Sequence, residues 1–292
     1  MQNLEKNGIP LNKGWSNDKK YIVDYHGSKA LLRVSSISKQ AHRLKMVETM
    51  DLLGKEGVPL CMPLSIDSNK DSIKIIFQWI DGVDLKDQLS TYPNLRQYEL
   101  GVEAGRHLLK IHNAPIGDIN LDWESVFTSK ISRKSEAYNS SPLKYDDDSL
   151  YLDAITDYVY LLKDRPITFQ HGDYHIGNMM ISDENLFIID FDRWDYGDPW
   201  EEFNRIVWSA QVSPLFASGI VDGYFGQGVP DEFWKLLLLY ISSNMLSSLP
   251  WAYDFGDSEV STIINQHNDV VSWYQNHAYI PSWYKNRKTS NT

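Results

Sequence analysis

Two short apolar runs, Tyr21-Ile22-Val23 and Ala30-Leu31-Leu32-Arg33-Val34, flank His26-Gly27, a pattern that predicts a β-hairpin over residues 20–35. The next stretch predicts a helix from about Lys39 to Lys55, broken by Gly57-Val58-Pro59, and Ile73 to Ile80 reads as a strand that stops at Asp81-Gly82. Beyond Gly82 the pattern becomes mostly helical. Leu100, Ala104, Leu108 and Ile111 recur at helical spacing, as do Tyr151, Ile155, Tyr158, Val159 and Leu162, so both sets predict core-facing helices. Residues 115–145, with their Gly, Pro, Ser and Asn content, read as irregular structure or a short helix. Short strands are expected at Ile167–Gln170, Met179–Ile181 and Leu186–Ile189, followed by helices near 199–211, 213–225, 231–249 and 258–276. The expected fold class is α+β, with a small β-rich lobe over residues 1–82 and a larger, mainly helical lobe over 83–292.

Composition narrows the compartment and the partners. With 42% hydrophobic residues over 292 positions, the chain can fill the core of one large domain or of two lobes. A single cysteine, Cys61, rules out an internal disulfide, and the polar opening Met1-Gln-Asn-Leu-Glu-Lys lacks the apolar centre of a signal peptide. A cytoplasmic location is therefore expected. The most apolar run, Phe233 to Leu249, is interrupted by Lys235, serines and Asn244, which predicts a buried helix and no membrane span. Net charge is −11, unevenly distributed: residues 1–80 hold 12 Lys/Arg against 8 Asp/Glu, and residues 81–292 hold 16 against 31. A basic first part suits nucleotide phosphates, whereas an acidic second part repels nucleic acid and attracts a cationic small molecule. General acidity of cytoplasmic proteins is an equally good account of that balance.

The strongest chemical signal is His171-Gly-Asp173-Tyr-His175-Ile-Gly-Asn178, followed twelve residues after the asparagine by Asp190 in Ile188-Ile189-Asp190-Phe191-Asp192. Kinase catalytic loops carry an Asp that orients the attacking hydroxyl and, five residues on, an Asn that binds magnesium; a strand then delivers a further metal-binding Asp. Asp173, Asn178 and Asp190 have that spacing, and an Asn with a carboxylate suits Mg2+, which keeps most of its waters. Asp192 would share a strand face with Asp190 and reads either as a supporting group or as a solvated turn residue. A different reading takes His171, Asp173 and His175 as alternating ligands on one strand face, holding zinc or manganese in a hydrolase, although no second His or Cys cluster completes such a site.

These motifs resemble the aminoglycoside phosphotransferase and choline kinase family of the protein-kinase-like fold, whose catalytic loop reads His-Gly-Asp-x-His-x-x-Asn. Ile-Asp-Phe/Trp and Gly-Asp-Pro then follow, the last represented by Gly197-Asp198-Pro199. The resemblance is specific from Phe169 to Phe203, traceable over residues 14–113 and without a diagnostic match beyond about residue 205. It implies a bilobal fold with an ATP or GTP donor, Mg2+ at Asn178 and Asp190, Asp173 as catalytic residue, and His171 supporting the loop. Arg33 takes the place of the strand-borne cation that pairs phosphates, with Glu48 as its candidate partner on the following helix and Met46 as a better-aligned position. Ser16 and Asn17 would contact phosphate, and the backbones of Gln78 and Ile80 would meet the purine. Trp194, Asp195, Glu201 and Glu202 fall where family members line the acceptor pocket, while Asp198 reads first as a helix cap.

The resemblance further implies a small-molecule hydroxyl acceptor of cationic character, an aminoglycoside first, with choline, another amino alcohol, a sugar or a macrolide as alternatives. A catalytically silent nucleotide-binding protein is the other class to exclude. No nucleic-acid or membrane partner is expected, and the chain would be a monomer or homodimer.

Overall fold

The computed structural model describes residues 2–11, 18–226 and 228–285. In chain order the first elements are α1 (Gln2–Asn7), β1 (Ile9–Pro10), β2 (Lys19–Tyr25), β3 (Ser28–Ser36), α2 (Gln40–Lys55), β4 (Pro63–Ser68), β5 (Ser72–Gln78) and β6 (Val83–Asp84). Next come α3 (Leu85–Gln88), α4 (Asn94–His112), α5 (Trp123–Ser140), α6 (Ser149–Tyr158), β7 (Thr168–Gln170), β8 (Met179–Ser182), β9 (Asn185–Ile188) and β10 (Asp195–Gly197). The chain continues with α7 (Ile206–Val212), α8 (Pro214–Phe225), α9 (Asp231–Phe255), α10 (Asp257–Trp273) and α11 (Ser282–Lys285). Two compact units result: Met1–Asp84 with Asn178–Asp192, and Leu85–Gly177 with Arg193–Thr292.

The first unit is built on an antiparallel sheet of order β1-β2-β3-β5-β4 and a small sheet of order β6-β8-β9. Strand alternation sorts its residues. Val23, Ala30, Leu32 and Ile76 form one apolar cluster, with Leu4, Tyr21, Tyr25 and Val34 packed against it. One residue out of phase, Lys20, Arg33 and Ile75 are cross-strand partners and so share the opposite face. The helix α2 follows expectation, burying Met46, Thr49, Met50 and Leu53, but the same stripe includes the buried cation Arg43. Strand β4, which sequence reading did not foresee, covers the edge of β5.

This unit reaches Asp84, two residues past the Gly82 boundary, and also takes in 178–192. Strand pairing is the cause: β8 pairs with both β6 and β9, so the hairpin follows its sheet and not its place in the chain.

In the second unit, the segment expected over 115–145 as irregular structure or a short helix holds the 18-residue helix α5. Asp122 caps its start by accepting the Ser125 N–H at 3.2 Å. Trp123, Phe127 and Ile131 then pack one face against Leu236, Leu239 and Tyr240 of α9. That four-residue period was present in the sequence but masked by the polar residues between. The helix expected at 199–211 is a 3-10 turn at Glu201–Arg205 leading into α7. Helix α9 runs on past Leu249 through Pro250, drawn by the buried Ala252. Among the described residues, no helix is long and apolar enough to cross a membrane.

Candidate active site

The second unit carries the loop that follows β7. Gly172 has φ +81°, and a Cβ there would stand 1.9 Å from the Arg193 carbonyl oxygen, so only glycine fits the middle of His-Gly-Asp. Buried Glu202 then fixes the loop by accepting the Gly172 N–H at 3.1 Å and the Tyr174 N–H at 3.2 Å. Tyr174 donates its hydroxyl hydrogen to the Ala104 carbonyl of α4 at 2.7 Å, and the Ser209 hydroxyl accepts the Ile176 N–H at 3.1 Å. Burial would raise the Glu202 carboxyl, but the His112 ring nitrogen 3.8 Å away, the nearby His171 imidazole and the hydrogen bond from the Gly172 amide hold it below its ordinary value. These four hydrogen bonds tie the loop to α4, to Glu202 and to Ser209.

Asp173 is mostly buried beside two arginines and a histidine. Arg205 Nε lies 3.4 Å from its carboxylate, His175 Nε2 3.6 Å and Arg193 Nη1 4.0 Å. Burial acts to raise its pKa, yet the nearby His175 imidazole and the charges of Arg205 and Arg193 outweigh it and hold the carboxyl well below the usual range. His171 is buried and its Nδ1 accepts the Asp173 N–H at 3.2 Å, while His175 Nδ1 accepts the Gly177 N–H at 3.0 Å. The strand that a His-Asp-His metal site would need is absent, because β7 ends at Gln170 and residues 176–178 form a 3-10 turn. Among the described residues, no group of three or more His, Cys, Asp or Glu side chains is placed to hold a metal ion.

Of the four residues expected to line an acceptor pocket, one keeps an open side chain. Trp194 is buried with its ring stacked on Phe169 at 5.1 Å, which removes that face from cation–π use. Glu202 braces the loop, and Glu201 is paired with Lys130 at 3.0 Å. Asp195 is exposed, yet it is pushed up to about 7 by desolvation from the atoms packed beside it and then by Glu201 and Glu202, with Lys130 opposing. Asp198 is a structural group: it accepts the Trp200 N–H at 3.0 Å and pairs with Arg165 at 2.7 Å and 3.1 Å.

The first unit carries the remaining motif residues. The β8–β9 hairpin sets the Ile189 N–H 3.0 Å from the Asn178 carbonyl, so Asn178 sits across from the residue just before Asp190. Asp190 has φ +63°, a left-handed backbone unfavourable for a side-chain-bearing residue, and its side chain is 35% exposed. Phe191–Arg193 form a 3-10 turn, so Asp190 and Asp192 do not share a strand face as expected. Arg33 pairs with both: Nη1 is 3.0 Å from Asp190, and Nη2 is 2.5 Å from Asp192. Lys20 Nζ adds a longer contact, 3.9 Å from Asp190.

Glu48 is not the partner of Arg33. Its side chain is 62% exposed and lies 3.1 Å from Lys45. The buried position five residues earlier belongs instead to Arg43, which pairs with Asp192 and, at 2.6 Å, with Asp18. Sequence reading missed Arg43 and Asp18. A charge inside the apolar stripe of α2 was the available signal for the first; nothing distinguished Asp18 from its polar neighbours.

Gln78 also departs from expectation, since its N–H donates to the Met62 carbonyl at 2.8 Å and its carbonyl accepts the Cys61 thiol at 3.0 Å. Ile80 is buried at the end of that segment. Ser16 and Asn17 lie outside the described residues.

Residues 7–233 match the family described as "Phosphotransferase enzyme family", and the protein belongs to it: it is a kinase-type small-molecule phosphotransferase. No curated protein matches the chain.

Solved structures share the fold at low identity. A choline/ethanolamine kinase family protein from Mesorhizobium loti has a TM-score of 0.66 and 13% identity, over 97% of this chain and 92% of that one. A thermostable mutant of aminoglycoside phosphotransferase APH(4)-Ia, in ternary complex with ADP and hygromycin B, has a TM-score of 0.63 and 16% identity, over 91% and 93%. A putative fructosamine-3-kinase from Haemophilus somnus has a TM-score of 0.59 and 14% identity, over 90% and 92%. The expected α+β, protein-kinase-like fold is therefore the fold observed.

Proposed function

We propose that the protein transfers the γ-phosphoryl group of a magnesium nucleotide to a hydroxyl of a small molecule, with Asp173 orienting that hydroxyl. The observation that carries this reading is the ionised Asp173 carboxylate among His175, Arg193 and Arg205, on a loop tied down by Glu202. A carboxylate with so low a pKa is a weak base toward a free alcohol. It accepts the hydroxyl hydrogen bond, aims the oxygen at phosphorus and takes the proton as the new O–P bond forms and the bond to the nucleotide diphosphate breaks.

Asn178 and Asp190 would hold Mg2+, which neutralises charge on the phosphate oxygens. Their amide and carboxylate oxygens, presented by neighbouring ends of one hairpin, suit that hard cation. Arg33 would exchange a carboxylate partner for phosphate oxygens. With the Gln78 backbone engaged, Ile80 is the better candidate for the purine contact. ADP in the APH(4)-Ia complex favours ATP as donor.

An aminoglycoside or similar cationic compound is the leading acceptor, supported by the acidic balance of residues 81–292 and by Asp195. A neutral acceptor, a sugar or a macrolide, is the second reading, favoured because Arg193 and Arg205 beside Asp173 would repel a polycation. Transfer from labelled Mg-ATP and Mg-GTP to a panel of aminoglycosides, amino alcohols, sugars and macrolides separates the two. A labelled cationic product supports the first reading and a neutral one the second. Nucleotide binding without transfer to any panel member would point to a silent nucleotide-binding protein.

A further inference from the structure

Resting on the phosphotransfer reading, a residue outside the kinase motif set emerges from the charge network around Arg33. In kinases, the phosphate-pairing cation on the strand is aligned by a glutamate on the following helix. Here α2 offers a cation instead: Arg43 is 1% exposed, Arg33 is 5% exposed, and both guanidiniums meet Asp192. Leaving any donor edge of two buried guanidiniums without a partner is costly, so a further carboxylate beside them is stabilising.

Asp18, just before β2, supplies it. Its side chain is 2% exposed and receives Arg33 Nε at 2.8 Å, Arg43 Nη2 at 2.6 Å, Lys39 Nζ at 2.9 Å and the Ser35 hydroxyl at 2.8 Å. These donors come from β3, from the turn before α2 and from α2 itself. We propose that Asp18 is the positioning residue for Arg33, locking β3 to α2 in place of a helix-borne glutamate.

The division of labour between the two aspartates supports this. Asp192 lies two residues from the proposed metal ligand Asp190, so nucleotide and metal would rearrange its surroundings. Asp18 lies on a different segment and keeps hold of both guanidiniums. Burial would raise its pKa, but the hydrogen bonds from Lys39, Ser35 and Arg33 and the Arg33 charge keep it ionised. Arg33 Nε is directed to Asp18, while Nη1 and Nη2 point to the exchangeable carboxylates.

The test is calorimetric titration of Mg-ATP, paired with steady-state kinetics, in the full chain. Asp18→Asn is expected to weaken Mg-ATP binding by about tenfold or more, equivalent to about 1.4 kcal/mol, and to leave the acceptor KM unchanged. In an Arg33→Met background the same substitution should cost less than about twofold, because its effect passes through Arg33. Native affinity in a folded Asp18→Asn protein, or an equal loss in both backgrounds, overturns the proposal.

If Asp18→Asn does not fold, Ser35→Ala decides. It removes the 2.8 Å bond to Asp18 and the 3.2 Å bond from Arg43 without stranding a charge. A loss of about threefold or more in Mg-ATP affinity supports the assignment, and unchanged affinity overturns it. Failure of the unsubstituted protein to bind either Mg-ATP or Mg-GTP would sink the phosphotransfer reading itself, and this proposal with it.

Discussion

Asp195 is the expected acceptor residue whose chemistry can be read directly against pH. With a pKa pushed up to about 7, it is neutral below that value and anionic above it. The KM for a cationic acceptor should therefore fall as pH rises from one unit below about 7 to one unit above, and Asp195→Asn should flatten the change. A native KM profile that is level across this range, or a slope unchanged in the variant, would remove Asp195 from the acceptor site. Asp173, Asn178 and Asp190 stand out in the sequence as candidates because phosphoryl transfer calls for these residue types at this spacing. Glu202 and Trp194 were misread because the direction of a side chain depends on what packs beside it. Only the folded chain reveals that Glu202 binds loop amides and that Trp194 lies on Phe169. Arg33 was singled out by the family resemblance, but its carboxylate partners Asp18, Asp190 and Asp192 come from segments far apart in sequence.

Among the elements, the positioning of the loop after β7 depends on how closely α4 and α8 approach. Gly101 on α4 meets Gly219 on α8, a Cβ on Gly223 would stand 2.2 Å from the Val102 carbonyl oxygen, and one on Gly105 would stand 2.1 Å from the Ile220 carbonyl oxygen. The neighbouring Ala104 carbonyl holds Tyr174, and His112 at the end of α4 meets both Glu202 and the Tyr224 hydroxyl of α8. Gly105→Ala gains about 1 kcal/mol of helix propensity. Overpacking against a backbone atom should cost more than that gain, on the order of 1–3 kcal/mol. Urea unfolding should show the net loss, and transfer by the folded variant should slow because Ala104 shifts; an unchanged midpoint would show that the helix pair can spread freely. The helical period of α4 was visible in the sequence. The glycines that set its distance from α8 were not, since their meaning lies in a partner more than a hundred residues away. In α5 the pattern was present at Trp123, Phe127 and Ile131 but was diluted by Ser, Lys and Glu on its exposed side.

Across the whole molecule, contact grouping departs from chain order at 178–192. A boundary read from composition passes once along the chain, whereas β6-β8-β9 pairing returns this hairpin to the first unit. Each unit contains a strongly depressed aspartate, Asp18 in the first and Asp173 in the second. For a carboxyl with a lowered folded pKa, the stabilising contribution is complete above its unfolded pKa of about 3.9 and is lost as pH falls toward the folded value. The melting temperature should accordingly decline as pH is lowered below about 4, with a shallower acid decline in Asp173→Asn than in the native protein. Identical acid limbs would mean that the cations around Asp173 do not stabilise its ionised form.

The measurement closest to the central claim is single-turnover phosphoryl transfer by native protein and Asp173→Asn, with Mg-nucleotide affinity measured on the same samples. The account predicts that transfer to the acceptor is abolished in the variant while nucleotide affinity stays within about twofold of native. Transfer retained at more than a small fraction of the native rate would contradict the role given to Asp173 and, with it, the mechanism proposed for this phosphotransferase.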